Sequence, residues 1–231
     1  MELRYVPDSG FAARGADGPR RDAPRDWVVW HFTHIDNLQA IVDEGRILAG
    51  SAVRPVRDVA NASVKSRRAE RIVDPDENYP VSYVNDHVPF YIAAKSPMLY
   101  VMARGHETYS GGCEPLIFLG VALGDIIESG ATWCVSDSNA ATNYVEFSRN
   151  VNELGSFVDF DLLRQRDWYN TPDDTDRKSR RAAEVLVLRE VPLSLVSVIV
   201  AKSERMLARA RSILDGVSGT RQYRVVAGLY Y

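Results

Sequence analysis

The 231-residue sequence predicts a mixed α+β domain. Three observations predict it: short apolar runs with strand character recur along the chain, brief helical periodicities fall irregularly between them, and no regular βαβ alternation is present. With 45% hydrophobic residues over this length, the chain can bury one sizeable core.

Residues 1–25 mix Gly, Pro, Arg and Asp with few apolar positions and read as an extended, weakly packed arm, followed by one domain over 26–231. WVVWHFT, from Trp27, alternates as a strand. Leu38, Ile41 and Val42 then sit at helical spacing behind Thr33 and Asp36, and Gly45 supplies a C-terminal stop. Periodicity is lost from Ser51 to about His87, where Arg54, Arg57, Lys65, Arg67, Arg68 and Arg71 make a long basic loop or loose helix. A loop this long is either functional or a solvated surface insertion. VPFYIA and PLIFLGVAL read as buried strands, and the spacing of SPMLYVMARGH between them suits a short helix. Ser138 is a candidate N-cap for a helix containing Ala141, Tyr144 and Phe147. The polar stretch Asp167 to Arg181, broken by Pro172, reads as an exposed loop leading into Ala183, Glu184 and the strand VLVL. A strand at VSVIV, a helix behind Ser203 using Met206, Ala210, Ile213 and Leu214, and a strand near YRVV complete the order.

Several function classes lose support. Neither a Gly-rich dinucleotide fingerprint nor a phosphate loop ending in Gly-Lys-Ser/Thr is present. The four histidines, at 31, 34, 87 and 106, lack ligand spacing, and Cys113 and Cys134 read as buried small residues, so no metal is expected. A formal net charge of -3 does not advertise nucleic-acid binding, so any DNA contact must be local. Without a run of roughly 18 apolar residues or a secretory h-region, the expectation is a soluble, cytoplasmic protein with no membrane partner. What remains is Glu184, between the cations Arg177, Lys178, Arg180 and Arg181 and an apolar strand: either a salt-bridged edge carboxylate or an acid facing a cleft. His31 reads as a core or rim residue or as a ligand contact, Arg68 as one of many surface cations, and Tyr91 and Met98 as core.

HFTHIDNL at 31–38 closely resembles the opening motif of the DarT family of DNA ADP-ribosyltransferase toxins. VPFYIAAKSPMLY at 88–100 resembles that family's second signature, and RRAAEVLVL at 180–188 the segment carrying its catalytic glutamate. The three blocks occur in the family's order, and the likeness runs from about Trp27 to Ser203. It implies an ADP-ribosyltransferase fold with two curved, mainly antiparallel sheets around an NAD cleft, and transfer of ADP-ribose from NAD to a base of single-stranded DNA, thymidine above all. Carried over by position, Glu184 and Arg68 become the catalytic pair; His31, Thr33, Asn37, Leu38, Gly45, Arg68 and Tyr91 become NAD contacts; and Lys95, Met98, Arg67, Trp168 and Tyr169 become DNA contacts. Trp168 and Tyr169 would stack on unpaired bases, or else anchor their loop. Lys95 stands where the family often has Arg, keeping the charge without the planar fork, and Val-Ser-Asp at 135–137 replaces a more frequent Phe-Thr-Asp. The resemblance also implies a macrodomain antitoxin that reverses the modification. Transfer to protein or RNA, a non-catalytic NAD- or DNA-binding module, and a basic docking loop are the other readings.

Overall fold

The computed structural model describes residues 2–59 and 62–231. In chain order, β1 (Leu3–Val6) and β2 (Phe11–Arg14) form a hairpin, followed by β3 (Trp27–His34), α1 (Leu38–Glu44) and β4 (Arg46–Leu48). The basic segment contains α2 (Ala62–Glu70), β5 (Ile72–Val73) and β6 (Ser82–Tyr83). Then come β7 (His87–Tyr91), α3 (Pro97–Arg104), β8 (Leu116–Ala122), α4 (Leu123–Glu128), β9 (Trp133–Ser136) and β10 (Phe147–Ser148). Three one-turn helices, α5 (Leu154–Phe157), α6 (Phe160–Leu163) and α7 (Arg177–Arg180), lead into β11 (Glu184–Leu188) and β12 (Glu190–Pro192). The last elements are β13 (Val198–Ala201), α8 (Glu204–Ile213) and β14 (Gln222–Val225).

The main sheet runs β10-β9-β11-β7-β3-β8-β13-β14, with the β1–β2 hairpin attached to β3. Its pairings are antiparallel except between β13 and β14. β3 and β8 pair from Val28↔Ala122 to His34↔Leu116, whereas β3 and β7 share only Trp30↔Tyr91. The two sheets implied by the resemblance are therefore two halves of one hydrogen-bonded path, joined at a single residue pair. Both faces are covered, which is why β3 and β8 read as continuous apolar runs. Along β3, Trp27 and Val29 enter one core while Val28 and Trp30 enter the other; along β8, Ile117, Leu119 and Val121 alternate with Leu116 and Phe118 in the same way. Against the first core lies α8, which buries Met206, Leu207 and Ala210 and is capped by the Ser203 hydroxyl accepting from Met206 N.

Two expectations are corrected, and one open alternative is decided. The N-terminal segment is not a weakly packed arm: Phe11, Ala12 and Ala13 are fully buried, and Phe11 packs edge-on against Trp27 and Phe160, each at 5.3 Å between centroids. Gly10 makes the turn with φ +65, and a side chain there would strike Ala94 and Leu229. The indole N–H of Trp30 donates to the Gly10 carbonyl at 3.1 Å, and that of Trp27 to the Arg20 carbonyl at 2.8 Å, so the core itself satisfies this segment's backbone. Ser138 caps no helix, because its hydroxyl donates to Asp137 Oδ1 at 2.9 Å and the chain turns at Asn139–Thr142 before entering β10. Of the two readings of the basic segment, the helix holds over part of it: α2 crosses it and turns Arg68 inward.

Candidate active site

β11 starts at Glu184, paired with Tyr91 on β7, and its backbone N–H donates to Ser136 Oγ at 3.1 Å, at the end of β9. The carboxylate is thus held inside the sheet, 1% exposed. Both of its oxygens accept from one nitrogen, Arg68 Nη1 on α2, at 3.0 and 2.9 Å. Burying such a pair is costly unless the geometry is good, and removing one partner strands a charge at a cost of about 3–5 kcal/mol. Among the described residues, Arg68 Nη2 is buried with no hydrogen-bond partner, a donor free for a phosphate or carbonyl oxygen of a ligand. The Tyr91 hydroxyl is pushed up in pKa by burial and then by the Glu184 charge, against the opposing effect of Arg68, so it remains a proton donor.

Arg68 lines a cavity of about 500 Å³, walled by β3, α1, β4, residues 50–59 and α2, and Glu184 lies behind it. That volume falls in the roughly 300–1,000 Å³ range of small-molecule sites. His31, Thr33, Asn37, Arg68, Tyr91 and Met98 line it. The rings of Phe32 and Tyr91 lie nearly parallel, 5.9 Å apart, giving the floor a flat aromatic surface suited to a planar ring. Burial lowers the His31 pKa, partly offset by its Nδ1 contact with the Pro89 carbonyl at 3.0 Å. That contact assigns the proton to Nδ1 and leaves Nε2 as the acceptor of a neutral imidazole. His87, another lining residue, contacts the Tyr79 hydroxyl through Nε2 at 2.6 Å, and burial pushes its pKa down to about 4. Neutral imidazoles therefore face the cavity, leaving its positive charge to the arginines and Lys65.

Asn37 lines the cavity but spends its amide on the fold. Its Nδ2 donates to the Arg57 carbonyl at 2.9 Å and to Thr33 Oγ1 at 3.1 Å, while Oδ1 accepts from Arg57 N at 2.8 Å. Side chain and backbone thus pair as two strands would, pinning residues 50–59 over the cavity. This rim and Ser136 escaped sequence reasoning, because their partners lie about twenty and fifty residues away.

Other sequence-based candidates lie elsewhere. Leu38 is fully buried in the core and Gly45 is the left-handed C-cap of α1, φ 67, with its N–H donating to the Val42 carbonyl. Both fold the opening motif, and neither lines the cavity. Arg67 points away on α2, Nε donating to the Ser63 carbonyl, so the inward cation is Arg68. Lys95 is half-buried, with its ammonium 5.2 Å from the centroid of the Tyr231 ring. Trp168 takes the second of its two readings, an anchor for its loop: its ring is buried, meets Tyr100 edge-on, and its Nε1 donates to the Tyr231 hydroxyl at 2.9 Å. Tyr169, next to it, is 60% exposed. Arg181 is fully buried and donates to the carbonyls of Ser9, Lys95, Leu162 and Gln165, burial lowering its pKa to about 10. It fixes the approach to Glu184, yet in the run RKSRR no local signal separates it from its exposed neighbours.

Among solved structures, Thermus sp. 2.9 DarT in complex with ADP-ribosylated ssDNA superposes with a TM-score of 0.80, at 29% identity over 88% of this chain and 96% of that one. The same protein in complex with NAD+ gives 0.75, at 27% identity over 92% and 99%. Fold and cleft are those of an NAD-dependent ADP-ribosyltransferase. A model of the family described as "ssDNA thymidine ADP-ribosyltransferase, DarT" matches residues 30–231. A DNA ADP-ribosyl transferase of Mycobacterium tuberculosis is 56% identical over the full length of both chains. Another, from Thermus sp., is 30% identical over 89% of this chain and 96% of its own. The chain belongs to the DarT family.

Proposed function

We propose that this protein transfers ADP-ribose from NAD to the thymine of a thymidine in single-stranded DNA, releasing nicotinamide. The observation that supports it best is the buried Glu184 carboxylate held by Arg68, which itself lines a cavity of about 500 Å³. Breaking the bond between C1′ and the nicotinamide nitrogen sends its electron pair to nicotinamide and leaves positive charge on the ribose. A fixed carboxylate in a water-poor site stabilises that charge. Glu184 does this, and takes the proton released as the acceptor nitrogen bonds to C1′. Arg68 aligns the carboxylate through Nη1 and offers Nη2 to NAD. The Phe32–Tyr91 floor supports the nicotinamide, and His31 and Thr33 hold its neighbourhood. Met98 borders the acceptor, with Lys95 and Tyr169 on the DNA side. An unpaired strand suits this site because a stacked, paired base would first have to be flipped out.

As in toxin and antitoxin pairs generally, such an activity calls for a partner, here a macrodomain antitoxin that removes the ADP-ribose. No helix among the described residues is long and apolar enough to cross a membrane. Mass spectrometry of single-stranded oligonucleotides of varied base content, incubated with NAD and either wild-type protein or Glu184→Gln, tests the reading. The expected result is one ADP-ribose per strand, only where thymidine is present, with the rate lowered about 1,000-fold or more in the variant. Adducts that follow guanosine would change the acceptor. NAD binding with no adduct on any DNA would move the acceptor to protein or RNA.

A further inference from the structure

A second surface lies beside Glu184 and plays no part in the cleft. The chain leaves β9 at Ser136, the residue bonded to Glu184 N, and returns in β10 at Phe147, which pairs back to Ser136. The intervening loop is tied on several sides. Asn139 N donates to the Ser179 carbonyl of α7 at 2.9 Å, Arg71 Nη2 beyond α2 donates to the Val145 carbonyl at 3.4 Å, and Asp137 Oδ1 accepts from Glu146 N at 3.1 Å. Ala140, Ala141 and Val145 are buried. Yet Tyr144 is 93% exposed, the most solvated large hydrophobic side chain among the described residues. A loop anchored this firmly holds the ring out in water, where folding gains nothing from it.

The segment across the Asn139–Ser179 bond has matching chemistry. Lys178, the residue before Ser179, is exposed and has no carboxylate partner among the described residues, and its backbone N–H donates to Asn170 Oδ1 at 2.9 Å, beside the 60% exposed Tyr169. Two linked segments at the mouth of the catalytic strand thus present two exposed rings and an unpaired ammonium. Single-strand binders combine these same groups, rings for bases and cations for phosphates.

We propose that Tyr144 stacks on the base of a nucleotide flanking the acceptor, with the Lys178 ammonium against an adjoining phosphate. The assignment rests on the single-stranded DNA reading above. Tyr144 then governs how firmly DNA is held, and takes no part in NAD cleavage. Steady-state transfer to an oligonucleotide with one acceptor thymidine, and with abasic nucleotides stepped through the flanking positions, tests it. Tyr144→Ala should raise the oligonucleotide KM about tenfold, in line with the loss of one stacked base. The NAD affinity measured by calorimetry and the melting temperature should stay at wild-type values, and Tyr144→Trp should restore the oligonucleotide KM. At one flanking position the abasic substitution should weaken the wild-type protein by a similar factor and leave Tyr144→Ala unaffected. If the wild-type protein modifies the intact oligonucleotide but Tyr144→Ala has an unchanged KM, or abasic penalties are the same in both at every position, the assignment to Tyr144 is overturned alone. If the wild-type protein modifies no oligonucleotide, the DNA reading falls and this assignment with it.

Discussion

The two sides of Glu184 are built from different materials. On the cleft side, α2, β3 and β7 bring buried groups together: a carboxylate bonded twice to one guanidinium nitrogen, a near-parallel pair of rings, and neutral imidazoles. On the loop side, residues 159–180 are held by ion pairs nearer the surface, with Arg180 bonded to Asp159, Asp174 and Asp176 and Arg177 to Asp174. Buried contacts suit a co-substrate that is chemically identical at every turnover. Surface ion pairs are weaker and salt-dependent, and suit a polymer whose neighbouring bases vary. On the proposed function, the buried contacts lie where the bond would break and the weaker ion pairs where the acceptor would enter.

Substitutions on each side can break this contrast. The largest effect should come from Arg68→Lys, which keeps the charge but replaces the separate Nη1 and Nη2 donors with a single nitrogen, so the carboxylate and NAD can no longer be met from two fixed positions. We expect kcat to fall about 100-fold, with little change in the oligonucleotide KM. Retention of activity within about threefold would mean that only charge matters on the cleft side. Asn37→Ala is next. It removes the bonds to Arg57 N and O, each worth about 0.5–1.5 kcal/mol, so the KM for NAD should rise about tenfold while that for DNA holds. A change in DNA KM instead would place residues 50–59 on the acceptor path. The smallest effect is expected from Arg180→Ala, about threefold on the oligonucleotide KM at low salt and none at high salt, where exposed ion pairs are screened. An equal effect at both salts would sharpen the picture differently, making Arg180 a packing residue.

The sequence declared the strands well, because their burial is local in pattern: β3, β7, β8 and β11 are apolar runs of strand length. It concealed what depends on distant partners. Phe11, Ala12 and Ala13 are too few and too small to announce a strand among Gly, Pro and Arg; Phe11 becomes core only by meeting Trp27 and Phe160, and Ala12 by joining Val28 and Trp30 on the other face. Arg68 is indistinguishable from Arg67 until α2 is set against a carboxylate 116 residues later. Physical reading reached Glu184 only as an acid at a strand edge, and likeness to the family's motifs supplied its role. Belonging to a motif does not tell which way a residue faces: Leu38 is turned into the core and Gly45 caps α1.

The Asn37 amide recognises residue 57 by its peptide group, a contact blind to the side chain carried there, proline excepted because it lacks the N–H. The rim can therefore drift in sequence while keeping its path, so that evolution has a palette of side chains at the cavity mouth without redesigning the scaffold. The same tolerance makes Ala52–Val59 a natural place to diversify when seeking variants that accept altered nicotinamide nucleotides.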